Sequence, residues 1–562
     1  MSYVSLPILN NFGVYMDIIT GFPSTMMDDY QLNIIDILRY AAETYHSQKV
    51  ISRISDNKTI SYTYKELLER VSKLAHGLVE LGVKQGERIG ILEWNTHRFL
   101  ELYFSVPCIG GVLVALNPRL HTNELAYIIK HSGIKRIFFN SDFTDLITSI
   151  DRYLDISEYI LLDRQSGDID IEPLLFYDDL LKEKSKYYNF PVLNEKSAYA
   201  ACYTSGTTGR PKGIFYSHRS TMLHSLIWAI HLNLSIRDVH LQLTPMFHAL
   251  GWGLWLSFMI VGAMQIFPGR WMVKNPAPIV DIILDKGVTI SEGVPTIWRA
   301  ILDELDKRKF SGEIHMKAVL GGSSPNLKLI RRLRSYGMEV IHTYGFTEGN
   351  PITHRSILIP SLNKKCLENG DYALYQGLPA FLVRQVLIDK KGNEIKHGEN
   401  KVGELIVRGP FISKNYYNYE EDDKAFIVWQ SQRWFRTGDA CIINECGYLK
   451  VVDRYNDMIK SGGEWISTIE LENYLVNHPY IMEACVIGIP HDKWGERPLA
   501  LIVPEDRFRG KLSDEDIYSY LLRKFPKWQL PDKLIYLDSI PKTGTGKYLK
   551  RVLKEKYGKE YR

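Results

Sequence analysis

The sequence predicts an α/β protein: a large N-terminal body of α/β subdomains with a β-rich subdomain at its end, then a small α+β C-terminal domain. Three observations lead there. Helix and strand signals alternate along the first half, which argues for parallel sheets covered by helices. Short β-type segments with turns follow, up to Asp453-Arg454. Beyond them, residues 454–562 mix helical stretches with the apolar run from Ala484 to Pro490, enough chain for a small domain with its own core. The expected division is therefore 1–453 and 454–562.

The elements follow in order. Thr63-Tyr64-Lys65-Glu66 is a capping box, in which Thr63 accepts from the third helical amide and Glu66 reaches back. Tyr64, Leu67, Leu68, Val71, Leu74, Ala75 and Leu78 then recur at helical spacing. Gly82 reads as the stop, and Arg88 to Leu92 as the next strand. The pattern repeats with a helix over Thr122 to Ser132, a stop at Gly133 and a strand at Ile137 to Phe139. Ala249 to Pro268 runs 20 residues without a charge but holds three glycines, Ser257 and Gln265. We read it as a buried core element and expect no integral membrane span. Gly403 to Gly409 and Gly447 to Val452 are the β-type segments before the boundary.

The 562 residues are 45% hydrophobic and 24% charged, which excludes a disordered chain, a collagen-like fibre and a disulfide-stapled scaffold. A net charge of +4 over this length gives no sign of a nucleic-acid partner. Cys108, Cys202, Cys366, Cys441, Cys446 and Cys485 are scattered, and the one close pair matches no zinc or redox spacing. Buried free thiols in a reducing, cytoplasmic setting are expected. The first basic residue is Arg39, so the N-terminus lacks the positive flank of a signal peptide.

The most informative segment is Tyr203-Thr204-Ser205-Gly206-Thr207-Thr208-Gly209-Arg210-Pro211-Lys212-Gly213. Its glycines let backbone amides approach a ligand closely, and its hydroxyls and Lys212 add donors suited to a polyphosphate. It is not a Walker A loop, because Gly209 is followed by Arg210 and Pro211, and this disfavours a kinase or GTPase.

This loop closely resembles the signature of the adenylate-forming superfamily: acyl-CoA synthetases, luciferases and adenylation domains. Further motifs of that family follow in order: Gly321-Gly322-Ser323, Thr343-Tyr344-Gly345-Phe346-Thr347-Glu348, Trp434 to Asp439, Asp453-Arg454, Lys460 to Trp465, and Pro541 to Lys547. With Phe22 to Asp28, the resemblance is closest to the medium- and long-chain fatty acyl-CoA synthetase branch. It implies a ligase that uses ATP, Mg²⁺ and CoA, a mobile C-terminal lid, and a possible homodimer.

The resemblance also assigns roles. Thr204, Ser205, Gly206, Thr207, Thr208, Gly209 and Lys212 would hold phosphates, and Glu348 with Thr204 would hold Mg²⁺, an oxygen-seeking cation. Tyr344 would stack on adenine, with Gly322, Ser323, His342, Thr343 and Thr347 lining that pocket. Asp439 would bind the ribose hydroxyls, with Arg454 at the ribose or phosphate side of a hinge at Asn456. Lys547, between Gly544 and Gly546, would carry adenylation by holding carboxylate and α-phosphate together. Lys460, Gly462 and Trp465 would serve thioester formation after the lid turns. Asn456 departs from the Lys or Asp usual at the hinge, and Gly349 from the usual Thr.

For the acid, Pro245 to Trp252 matches the segment that lines the acyl pocket in fatty acyl members. His248, Ala249 and Trp252 are its candidate lining residues, and Trp252 stands equally well as a core aromatic. Gly345 stands where acetate- and propionate-specific relatives carry a Trp, so it predicts an open pocket floor and a medium or long fatty acid. A short hydroxy acid, an aryl acid, and a nucleotide-binding remnant without catalysis are the alternatives. Finally, Lys542 to Arg562 carries a net +6, more than the whole chain, and reads as a solvated helix face apart from Lys547.

Overall fold

The computed structural model describes residues 21–55, 58–163, 171–204, 210–359, 367, 371–419, 424–455, 457–462, 464–542 and 548–560. These residues form four β-sheets. The first has seven strands in the order Leu174–Phe176, Glu158–Leu161, Arg136–Phe139, Arg88–Leu92, Val112–Ala115, Ala198–Thr204 and Lys212–Ser217. All neighbours pair in parallel except the last two. The second has nine strands. Its parallel centre runs through Glu339–Gly345, Lys317–Leu320, Ile290–Gly293, Val239–Leu241, Met264–Phe267 and Lys49–Ser55.

Local signals in the sequence account for much of this. Thr63 Oγ1 accepts from the Glu66 amide at 3.2 Å, and Glu66 Oε2 accepts from the Thr63 amide at 2.7 Å. The helix Tyr64–Glu80 so capped buries Tyr64, Leu67, Val71, Leu74, Ala75 and Leu78. Gly82 and Gly133 both sit at positive φ, +82° and +70°, the left-handed geometry that ends a helix without steric cost. The uncharged stretch after Ala249 breaks into a turn, the helix Trp255–Ile260 and the strand Met264–Phe267. Among the described residues, no helix is long and apolar enough to cross a membrane.

The third sheet is the expected β-rich part. Gly403–Arg408 pairs with Gln432–Ile443, which in turn pairs with Leu449–Arg454. The strand expected from Gly447 starts two residues later, because Gly447 itself turns at φ +82°. The fourth sheet lies in the C-terminal part and is built on Ile481–His491 against Gly495–Pro504. Its faces carry cores of their own, one with Ile466, Leu471, Val486 and Ile517, the other with Ile487, Leu501 and Leu553.

One expectation is corrected. Cys108, Cys202, Cys441 and Cys485 are buried free thiols, but Cys446 is disulfide-bonded. Cys366 lies outside the described residues.

Candidate active site

Strand ends converge on the site. Thr204 closes its strand, and Lys212 opens the antiparallel return strand opposite it. The Lys212 amide donates to Thr204 Oγ1 at 3.3 Å. Ser205, Gly206, Thr207, Thr208 and Gly209 lie outside the described residues. The turn Thr347–Gly349 packs on the same strand as Thr204. Glu348 is buried there, and Tyr416 donates its hydroxyl to Glu348 Oε1 at 2.6 Å. Burial pushes the Glu348 carboxyl above its ordinary range, while the Tyr416 hydrogen bond and the charges of Arg454 and Lys212 pull it back. Lys212 Nζ rests 4.7 Å from the Tyr416 ring centre and 4.3 Å from that of Tyr419. Tyr416 thus joins a cation and a carboxylate, and sequence reasoning missed it.

Opposite, the backbone register sets Asp439 against Arg454. Arg454 Nε lies 3.1 Å from Asp439 Oδ1, and its Nη1 donates to the Thr437 carbonyl at 2.9 Å. Tyr344 donates its hydroxyl to the other oxygen of Asp439. Thr437 steadies the turn: its hydroxyl donates to the Leu405 carbonyl at 2.9 Å and accepts the Asp439 amide at 3.1 Å. Gly438 needs its φ of +70° to make that turn. The Tyr344 phenol is held well above its usual range by burial first and by Asp439 second. Thr347 offers its carbonyl to Tyr216 at 2.7 Å, and Thr343 donates to the Leu320 carbonyl at 2.9 Å. Gly322 and Ser323 are exposed at the end of the adjacent strand.

His342 differs from its assignment. Its ring is buried, with Nδ1 3.1 Å from the Ala373 carbonyl, and burial lowers its pKa to about 4. It is a neutral core histidine on the same strand as Tyr344.

The segment expected to line the acid pocket has an unusual backbone. Ala249, Leu250, Gly251, Trp252 and Gly253 have φ of +38, +48, +59, +61 and +70°. Left-handed backbone costs a residue with a side chain about 1–2 kcal/mol. The Trp252 indole lies so close to Gly321 that a β-carbon there would stand 2.8 Å from the ring, so glycine is required. His248 starts the turn, its amide donating to the Pro245 carbonyl at 3.0 Å. Ala249 and its neighbour Leu250 direct their amides at the Cys202 thiol.

Gly345 has a different reason to be glycine from the one expected. A β-carbon there would meet the Pro351 carbonyl oxygen at 1.9 Å, where the returning strand crosses. The missing side chain is required by that contact and by itself is no evidence of an open pocket floor.

Lys460, Gly462 and Trp465 gather on the hairpin Ile459–Ser461 with Glu464–Ile466. Lys460 Nζ lies 6.0 Å from the Trp465 ring centre, and Lys390 of the large body lies 4.7 Å from the same ring. Gly462, at φ +60°, gives its amide to the Trp494 carbonyl at 2.9 Å. This hairpin meets the body at Lys390. Lys547 and Asn456 lie outside the described residues.

For a metal, no group of three or more His, Cys, Asp or Glu side chains converges among the described residues. One buried carboxylate, Glu348, near the Thr204 strand suits Mg²⁺, which keeps several waters and takes substrate phosphates as ligands.

Comparison with known proteins agrees with this geometry. The family model of the AMP-binding enzyme matches residues 38–417, and that of the AMP-binding enzyme C-terminal domain matches 470–547. The chain belongs to the AMP-binding enzyme family. Within it, the chain is 38% identical to a long-chain-fatty-acid–CoA ligase of Thermus thermophilus, over 96% of this chain and 98% of that one. It is 35% identical to a 3-methylmercaptopropionyl-CoA ligase of Ruegeria lacuscaerulensis, over 94% and 97%. A medium-chain-fatty-acid–CoA ligase of Ectopseudomonas oleovorans is 34% identical, over 94% and 96%. The solved o-succinylbenzoate CoA synthetase of Bacillus subtilis with ATP and magnesium is 25% identical, with TM-score 0.76 over 92% of this chain and 99% of that one. This AMP-binding enzyme is an acid–thiol ligase that uses ATP, Mg²⁺ and CoA.

Proposed function

We propose that the protein joins a medium- or long-chain fatty acid to CoA through an acyl-adenylate, releasing AMP and pyrophosphate. The observation that carries this is the buried, uncharged wall from Ala249 to Trp252, which meets Gly321 beside the Tyr344 and Asp439 pocket. An apolar wall rewards chain length at about 0.8 kcal/mol per buried methylene. The long- and medium-chain relatives support it. A shorter acid is the second reading, supported by the Ruegeria relative.

The first half-reaction brings a carboxylate onto a polyanion, so it needs positioning and charge neutralisation. Asp439 and Tyr344 orient the adenosine, and Arg454 holds Asp439 in place. Lys212, steadied on two tyrosine rings, faces the phosphates, and Lys547 draws the carboxylate toward the α-phosphate. Glu348 and Thr204 would hold Mg²⁺, which would further neutralise phosphate charge. For the second half, residues 454–562 turn about Asn456 and bring Lys460, Gly462 and Trp465 to the adenylate. We place the reaction in the cytoplasm, which supplies both ATP and CoA.

The test is pyrophosphate release over a series of acids, with and without CoA. Release that depends on a fatty acid, followed by acyl-CoA when CoA is added, supports the reading. No AMP with any acid would sink it. Lys547→Ala is expected to abolish adenylate formation while leaving thioester formation from supplied adenylate largely intact. Equal loss in both halves would refute that division of labour.

A further inference from the structure

The left-handed turn at Ala249–Gly253 persists only if its surroundings over-determine it, and what lies beneath it is a buried polar cluster. The Gly251 carbonyl oxygen has Thr244 Oγ1 at 3.0 Å and Gln242 Nε2 at 3.2 Å. Thr244 Oγ1 is also 2.9 Å from Glu292 Oε1, and Gln242 Nε2 is 2.8 Å from the Thr244 carbonyl. Glu292 Oε2 lies 2.9 Å from His240 Nε2, and the His240 ring stacks on Phe258 with centroids 3.9 Å apart. Gln242, His240 and Glu292 have no exposed surface.

The cluster is tied to the turn through one shared hydroxyl: Thr244 Oγ1 lies within hydrogen-bond reach of both the Gly251 carbonyl and Glu292 Oε1. Gln242 Nε2 reaches Thr244 Oγ1 at 2.8 Å as well as the Thr244 and Gly251 carbonyls, and Asn95 Nδ2 gives the Thr244 carbonyl a further donor at 2.8 Å. Gln242 also stands directly under the turn, since a β-carbon on Gly251 would lie 2.8 Å from its Nε2. Above, the turn delivers the Trp252 indole against Gly321 and Gly322, at the seam between the adenosine pocket and the acid-side wall.

We propose that Thr244 and Glu292 are positioning residues for acid selection: they hold the Ala249–Gly253 turn, and the turn sets where Trp252 stands. Neither touches the substrate: Thr244 acts through the Gly251 carbonyl, and Glu292 acts through the Thr244 hydroxyl. The proposal rests on the reading of Ala249 to Trp252 as the acid-side wall. It implies that acid preference is tuned from below, by a buried hydroxyl and a buried carboxylate.

The experiment uses the full-length enzyme in four forms besides wild type: Thr244→Val, Thr244→Ser, Glu292→Gln and Trp252→Ala. For each, kcat and KM are measured for octanoate and hexadecanoate, KM is measured for ATP, and the melting temperature is recorded alongside. Thr244→Val is expected to change the octanoate-to-hexadecanoate ratio of kcat/KM by about ten-fold, with KM for ATP unchanged. Thr244→Ser, which keeps the hydroxyl, is expected to restore the wild-type ratio. Should Thr244→Val fail to fold, Glu292→Gln makes the same comparison. A ratio that moves in Trp252→Ala but not in Thr244→Val or Glu292→Gln overturns the positioning role. So does a serine variant that behaves like valine. If Trp252→Ala also leaves the ratio unchanged, the acid-side reading of the wall fails, and the proposal with it.

Discussion

Tyr416 has two jobs that one residue can do only at this spot. Its hydroxyl binds Glu348 and its ring face carries Lys212, so a carboxylate and an ammonium are held near each other without pairing directly. The hydroxyl lowers the Glu348 pKa, against the larger push from burial. Removing it with Tyr416→Phe therefore raises that pKa further, and the acidic limb of the kcat/KM profile is expected to move to higher pH. A profile that falls in amplitude without shifting would mean that Tyr416 serves only as a ring. Asp439→Asn is expected to raise KM for ATP by about ten-fold, because it weakens the partnership with Arg454 and Tyr344 together. Glu348, Tyr344, Asp439 and Lys212 are legible in the sequence because each sits in a motif of fixed spacing. Tyr416 is not, because a tyrosine 68 residues beyond its carboxylate partner leaves no local pattern.

At the scale of elements, the sequence is most informative where the cause is local. The capping box before Tyr64 and the glycine stops at 82 and 133 occur as read, since each depends on a few consecutive residues. Thr63→Ala is expected to lower stability by about 1 kcal/mol, seen as a lower urea midpoint. The left-handed turn is illegible for the opposite reason. Ala249, Leu250 and Trp252 have no intrinsic preference for positive φ, and the buried side chains that meet the turn, Gln242 and Thr244 backed by Glu292, follow no local pattern. Gly345 is similar. Its strand meets Ile352–Arg355 so closely that Gly345→Ala must push the two backbones apart. That overpacking is expected to cost about 1–3 kcal/mol or more, measured as a lower melting temperature.

Over the whole molecule, charge is organised for stability as much as for ligands. Three of the basic residues behind the +6 of the terminal segment pair with carboxylates elsewhere in the protein. Lys550 pairs with Glu472 at 2.8 Å, Lys554 with Asp457 at 3.1 Å, and Lys542 with Glu483. Acid lability follows from the interior. His97 and His224 are lowered by burial to a pKa of about 3, and His218, His342 and His354 to about 4. Unfolded histidines bind protons below about 6.5, while these five stay neutral in the fold until about pH 4 or below. The unfolded state therefore binds more protons in that window, and stability is lost as pH falls through it. Each contributes up to about 1.4 kcal/mol per pH unit. The urea midpoint is expected to drop steeply between pH 6.5 and 4.5, and a flat profile would contradict this accounting. Glu93 acts in the opposite sense, over the window from about pH 4.5 to 8. Buried and raised to about 8, it contributes stability below its unfolded pKa that is lost as pH rises through 8. Glu93→Gln should flatten the alkaline side of the same curve.

The crossing of Gly345 and Pro351 also bears on how a descendant of this chain can change its diet. Any single substitution at 345 brings a β-carbon into a backbone oxygen, so that mutational route is closed until the neighbouring strand has moved first. Drift toward new acids is left to other positions, and any change within Ala249–Trp252 must keep a turn whose residues are buried and held at positive φ.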